Sequence, residues 1–160
     1  MKYIGVFLLC LAAALFSREK IRIIEKRRCE LLFFTELIGH IRREVSFFAK
    51  PLRKACEGFC SDYAVCDGFL SAVSEGGELG VAYESVRKTL SLSEDEQELV
   101  HNIFLSLGSS CLEENVKKLE AAEEELTRLS EAFGAEAKKR IKLVETLTAT
   151  LSVGVIIAVI

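Results

Sequence analysis

The sequence has few residues that interrupt a helix. Its 160 residues include a single proline, Pro51, and only ten glycines. Half of the residues are hydrophobic and 28% are charged, so the chain can bury a core and does not have the composition of a disordered protein. Helix-favouring residues dominate the remainder. We therefore predict an all-α protein: a membrane-anchored antiparallel bundle of about five to six helices.

Sequence motifs of catalysis are also missing. The chain has no glycine-rich phosphate loop, no H-E-x-x-H and no G-x-S-x-G, and its two histidines, His40 and His101, are far apart. A net charge of −3 does not indicate binding to nucleic acid. We therefore expect no enzyme, no cofactor and no metal site.

The six cysteines leave two alternatives open. Cys56, Cys60 and Cys66 form a C-x3-C-x5-C group that lacks the second ligand pair of common zinc motifs. Small buried core residues are the favoured interpretation, because free cysteine is usually buried. A metal or redox sensor and a secreted protein with paired cysteines remain as alternatives.

Both ends of the chain are apolar. Residues 3–16 and 146–160 carry no charged side chain. Each would span about 21–23 Å as a helix, which is less than the bilayer core of about 30 Å. We predict an N-terminal transmembrane segment at 1–17, a cytoplasmic helical bundle at 18–142 and a C-terminal transmembrane segment at 143–160.

Basic residues flank both apolar ends on the side of the central segment. By the positive-inside rule, this places the central segment in the cytoplasm and both termini outward, in a cell membrane. A cleaved signal peptide is the alternative for the N-terminus, but it would carry its positive charge before the apolar run. The predicted membrane-flanking residues are Arg18, Lys20, Arg22, Arg27, Arg28, Lys138, Lys139, Arg140 and Lys142.

Helical periodicity continues through the central segment. One apolar stripe predicts a first helix that runs from the membrane span to about Phe48, and Pro51 should end it and start the next helix, with Leu52 on its inner face. Ser93 and Glu96 have the spacing of a capping box, and Gly108 is a helix stop. The stripe comprises Ile24, Leu31, Phe34, Ile38, Ile41, Val45 and Phe48, and it is interrupted only at Arg28.

Two charged groups are candidate partner surfaces. The basic turn consists of Lys50, Arg53 and Lys54, which oppose the positive end of the helix after Pro51. Between Glu94 and Glu136 there are twelve acidic residues against three basic ones. From this region we select the acidic row, which consists of Glu120, Glu123, Glu124 and Glu125, as a surface for a basic partner.

Several stretches resemble the stage III sporulation protein AB family of endospore-forming bacteria. They are "AKPLRKA" (49–55), "SLSEDEQEL" (91–99) with "LSLG" (105–108), and the acidic helix that leads into the last apolar run. The family is itself similar to the cytoplasmic helical bundle of type II secretion F proteins. The resemblance extends over essentially all 160 residues.

The resemblance implies a membrane platform in the channel complex between mother cell and forespore. The protein would lie in the outer forespore membrane, with its bundle in the mother-cell cytoplasm. Its expected partners are the lipid bilayer, a stage III sporulation protein AA-type ATPase and other proteins of the complex. A general secretion or pilus platform subunit is an alternative, and self-association into a homo-oligomer stays open.

Overall fold

The computed structural model describes residues 2–59, 67–107 and 112–159. Within these ranges the regular structure is entirely helical, which confirms the predicted all-α class. The helices are α1 (Lys2–Phe48), α2 (Leu52–Glu57), α3 (Asp67–Ser74), α4 (Leu79–Arg87), α5 (Glu94–Ser106) and α6 (Leu112–Val159).

The two long helices, α1 and α6, form an antiparallel pair. Each has 47 or 48 residues, which corresponds to about 70 Å. Arg42 of α1 pairs with Glu123 of α6, whereas Arg27 of α1 lies against Phe133. The numbering thus rises on one helix as it falls on the other. The four short helices pack beside one half of this pair and complete the bundle.

An aromatic cluster joins the short helices to α1. The rings of Phe33 and Phe34 are fully buried and contact Phe69 of α3, and Phe34 also contacts Tyr83 of α4 and Phe104 of α5. Most of these rings meet edge to face, the geometry that aromatic quadrupoles favour. One residue, Phe34, therefore connects three short helices to the long one.

The turn after α1 differs in detail from the prediction. α1 ends at Phe48, and Ala49 has a left-handed backbone with φ 48°. The Ala49 amide donates to the Val45 carbonyl, which closes the helix before proline is reached. Pro51 is the N-cap of α2 rather than its first residue, and Leu52 starts the helix half-buried.

Some predicted core positions lie elsewhere. Phe48, predicted on the buried stripe, is 66% exposed, because the chain turns away at Ala49 and none of the described helices covers it. Arg28, which interrupts that stripe in the sequence, is exposed. α2 is short and ends at Glu57, before Gly58.

The capping box at α5 is present. The Ser93 hydroxyl accepts from the Glu96 amide, and the Glu96 carboxylate accepts from the Ser93 amide. These bonds satisfy two backbone groups near the helix start. The predicted stop at Gly108 lies outside the described residues.

The membrane segments predicted from sequence are not confirmed. Over residues 2–59, 67–107 and 112–159, no helix has a window long and apolar enough to count as a candidate membrane span.

Candidate functional site

Large hydrophobic residues are exposed at two places in the described part of the chain. Four lie at the end of the bundle where α1 stops, and we call them the tip surface: Phe47, Phe48, Val81 and Leu105. The other nine lie on the two long helices towards the opposite end: Leu8, Leu11, Leu15, Phe16, Ile23, Leu143, Leu147, Leu151 and Val153.

We call the outer parts of the long helices, residues 2–23 and 138–159, the arms. Ser17 is buried although it precedes the whole bundle in sequence, and Ile21, Ile141 and Val144 are partly shielded. These positions recur at helical spacing, and the register set by Arg27 against Phe133 brings them to matching levels of the antiparallel pair. The arms therefore continue the α1–α6 seam beyond the short helices.

The predicted membrane-flanking residues fall into two groups. Arg27 is bonded inside the bundle, Arg140 is paired with Glu136, and the Lys20 ammonium lies 5.4 Å from the Phe16 ring centroid. The others make no ion pair with any residue that the structure describes: Arg18, Arg22, Arg28, Lys138, Lys139 and Lys142.

Arg27 connects three helices. Its guanidinium donates two 2.8 Å hydrogen bonds to the buried Glu96 carboxylate, which also caps α5. The same guanidinium lies 4.5 Å from the ring centroid of Phe133 on α6. A bidentate arginine pair with a cation–π contact is among the stronger polar arrangements in proteins. Arg27 thus fixes the start of α5 against both long helices.

Glu30 is a charged residue that lies in the core, although sequence periodicity did not predict its burial. Its side chain has no exposed surface, and its Oε2 accepts a 2.6 Å hydrogen bond from the Ser91 amide. The Lys26 ammonium is 3.7 Å from Oε1. Burial raises the pKa of Glu30, against the lowering effect of the Ser91 hydrogen bond and of the Lys26 charge.

This raised pKa predicts a pH dependence of stability. A folded-state pKa above the unfolded value of 4.5 means that Glu30 stabilises the fold below that pH. The contribution is lost as pH rises through the folded pKa. We expect the free energy of unfolding of Glu30→Gln to compare most favourably with that of the natural chain at neutral pH. The difference between the two should shrink as the pH is lowered. Urea unfolding between pH 4 and 7 measures this difference.

Glu36→Gln, on the exposed face of α1, is the matched control for the loss of one carboxylate. If Glu30→Gln changes the free energy of unfolding equally at every pH, titration of Glu30 does not contribute to stability.

Two of the three residues of the basic turn form ion pairs within the chain. Lys50 pairs with Glu44, and this hydrogen bond lowers the pKa of Glu44. Arg53 donates to Glu57 and to the Ser74 carbonyl, so it ties α2 to the end of α3. Lys54 is exposed and forms no ion pair with a described residue.

The acidic row lies along the outer side of α6. Glu123 pairs with Arg42, and Gly39 makes room for it, because a Cβ there would come within 2.9 Å of the Glu123 Oε1. Glu120, Glu124 and Glu125 are exposed. Among the described residues, no hydrogen bond or ion pair joins the acidic row to the basic turn.

A groove of about 470 Å³ is lined in part by two residues of the tip surface, Val81 and Leu105. It lies between the starts of α2 and α4 and the end of α5, and Gly80 permits this approach because a Cβ there would be 2.8 Å from Leu105. Periodicity did not indicate this groove, which depends on how four elements meet. Its lining residues are Leu52, Arg53, Gly76, Gly77, Glu78, Leu79, Gly80, Val81, Phe104, Leu105 and Leu107.

Two cysteines, Cys29 and Cys56, are thiols without a disulfide. Burial raises the pKa of the Cys56 thiol to about 12. A thiol with such a pKa is a poor nucleophile at neutral pH. Cys60, Cys66 and Cys111 lie outside the described residues. No cluster of three potential metal-binding side chains occurs in the ranges that the structure covers.

Comparisons with known proteins give one match. The family model of stage III sporulation protein AB (spore_III_AB) matches residues 2–160. Neither the curated proteins nor the solved structures contain a match. Because the family match covers nearly the whole chain, this protein belongs to the stage III sporulation protein AB family, which implies a role in stage III of sporulation.

Proposed function

We propose that this protein is a membrane platform of the channel complex between mother cell and forespore, and that its bundle docks a secretion-type ATPase. The arms would lie in the outer forespore membrane and the bundle in the mother-cell cytoplasm. The observation that carries the proposal is the confinement of exposed large hydrophobic residues, in the described ranges, to the arms and the tip surface.

Two features of the arms support a membrane location. Their exposed leucines would meet acyl chains instead of water, which is favourable for apolar surface. The basic residues at the bundle-side ends of the arms would then lie at the lipid headgroups. The sequence at both ends is free of charged side chains over residues 3–16 and 146–160.

The tip surface supports a protein partner at the opposite end. Phe47 and Phe48 are adjacent in sequence and are 78% and 66% exposed, and Val81 and Leu105 line a groove at the same end of the bundle. Exposed aromatic residues and apolar grooves are typical of partner-binding surfaces. Lys54, which forms no ion pair with a carboxylate in the part of the chain that the structure describes, would favour an acidic group on the ATPase.

The mass of the intact protein tests the membrane location. Protein extracted from membranes should retain Met1 and should remain in the membrane fraction after alkaline carbonate washing. Cleavage near Ser17 would instead support the secreted alternative, in which the cysteines pair in disulfides.

Co-purification with the stage III sporulation protein AA-type ATPase tests docking. We expect Phe47→Ala with Phe48→Ala, and separately Lys54→Glu, to weaken binding of the full chain to the ATPase at least about tenfold, because exposed aromatic anchors and charged contacts dominate such interfaces. Lys54 is a cleaner choice than Arg53, whose replacement would also remove the bond to the Ser74 carbonyl.

Charge reversal of the acidic row tests the other candidate surface. Glu124→Lys with Glu125→Lys leaves the Arg42–Glu123 pair intact. Lys117→Glu and Glu98→Lys, both at exposed positions elsewhere, are the matched controls and should not change binding. Unchanged ATPase binding after alteration of both surfaces would reject the docking proposal. A pilus-type ATPase that binds equally well would favour the general secretion platform.

A further inference from the structure

A cleft on the α6 arm combines two lysines with an apolar stripe. It is an open groove on the surface of this one helix, with a volume of about 400 Å³, and its lining residues are Lys139, Lys142, Leu143, Thr146 and Leu147. The lysines are three positions apart, which places both on one face of the helix. Leu143 and Leu147 follow on the side towards the end of the chain. The cleft is thus cationic at one edge and apolar at the other.

We propose that this cleft binds an anionic phospholipid, with its phosphate between Lys139 and Lys142 and an acyl chain along the leucines. The inference rests on the proposed membrane location of the arms, and it adds a ligand class and a binding site.

The charges of the cleft are available to a ligand. Lys139 and Lys142 are exposed and form no ion pair with any described residue. The neighbouring acidic residues of α6, Glu136 and Glu145, do not line the cleft, and Glu136 is bonded to Arg140. Two ammonium groups that pair with no carboxylate of the described residues match the charge of a lipid phosphate.

The apolar stripe continues beyond the cleft. Leu143, Leu147 and Leu151 repeat every fourth residue and are 61%, 54% and 62% exposed. They cover about 12 Å along one face of the helix. An anion that adjoins an alkyl chain fits this arrangement, whereas free phosphate would leave the leucines in water. The lysines and then the leucines therefore follow one another in the order in which a phospholipid presents its phosphate and its acyl chain.

A similar cleft on the α1 arm differs from the α6 cleft in that acidic residues line it. It also contains two basic residues one turn apart, Arg18 and Arg22, with Leu15 towards the chain end. Glu19 and Glu25 line it too, so its basic charge is balanced. The α6 cleft has no acidic lining residue. We therefore assign the lipid to α6.

Native mass spectrometry of the full chain in detergent tests the assignment. Phosphatidylglycerol and phosphatidylcholine with identical acyl chains would be added at equal concentration. We expect tighter binding of phosphatidylglycerol, and Lys139→Gln with Lys142→Gln should weaken it about 25-fold, or about fivefold for each lysine. Lys117→Gln with Arg128→Gln removes the same charge from exposed positions of α6 outside the cleft and should leave binding unchanged.

Three results would overturn the lipid site. They are equal binding of both lipids, an undiminished preference in the cleft variant, and displacement of phosphatidylglycerol by an equal concentration of inorganic phosphate. Flotation of the natural chain with vesicles of either lipid separates the two proposals. Flotation with both lipids but no preference in the mass spectra removes the lipid site alone, whereas no flotation with either removes the membrane location as well.

Discussion

Replacement of Phe34 by alanine should lower the free energy of unfolding by about 3–5 kcal/mol, the usual range for a fully buried phenylalanine. The Phe34 ring has no exposed surface, and its centroid lies 5.6 Å from that of Tyr83 and 6.1 Å from that of Phe104. Its loss would open a cavity where α3, α4 and α5 meet α1. Urea unfolding followed by near-ultraviolet circular dichroism measures the effect in the aromatic cluster itself.

Phe47→Ala is the matched control, since it removes the same atoms from a ring that is 78% exposed. We expect it to change stability by no more than about 0.5 kcal/mol. Equal losses for the two variants would mean that the cluster around Phe34 does not stabilise the bundle.

Replacement of Arg27 by methionine should cost about 2–3 kcal/mol. Methionine retains much of the apolar stem, but it leaves the buried Glu96 carboxylate without its bidentate partner. The start of α5 would keep its capping bond from Ser93 and lose its connection to α1. Chemical unfolding of Arg27→Met, Glu96→Gln and the double variant gives the coupling between the two side chains.

Arg140→Met provides the comparison, because the Arg140–Glu136 pair is exposed on both sides. Exposed ion pairs contribute about 0–1 kcal/mol, so this variant should be nearly neutral. A coupling near zero between Arg27 and Glu96 would contradict the structural role assigned to their contact.

Sequence patterns correctly predicted the first helix, the capping box and the turn at Pro51, which depend on residues close together in the chain. The long first helix followed from an apolar stripe that is interrupted only at Arg28, and the capping box followed from a serine and a glutamate three residues apart. Pro51 marked the turn between α1 and α2, although the backbone closes α1 two residues earlier, at Ala49. Each of these features is decided by residues within one or two turns of each other.

The features that were missed depend on distant parts of the chain. Periodicity placed Phe48 in the core because it cannot tell where the opposing helices stop. Glu30 lies between core-facing positions, and its burial depends on the Ser91 amide, 61 residues away. The α6 cleft, likewise, needs the actual exposure of each side chain, which a charge pattern alone does not supply.

The continuity of α1 and α6 has a mechanical consequence. Neither helix is interrupted between the tip surface and the arms, and the Arg42–Glu123 and Arg27–Phe133 contacts tie the two together at separate levels. Such a braced pair is stiffer against bending than either helix alone. A tilt of about 5° about one end displaces the other end of a 70 Å rod by roughly 6 Å. The pair therefore behaves as a lever, in which a small rotation at the tip becomes a large displacement at the arms.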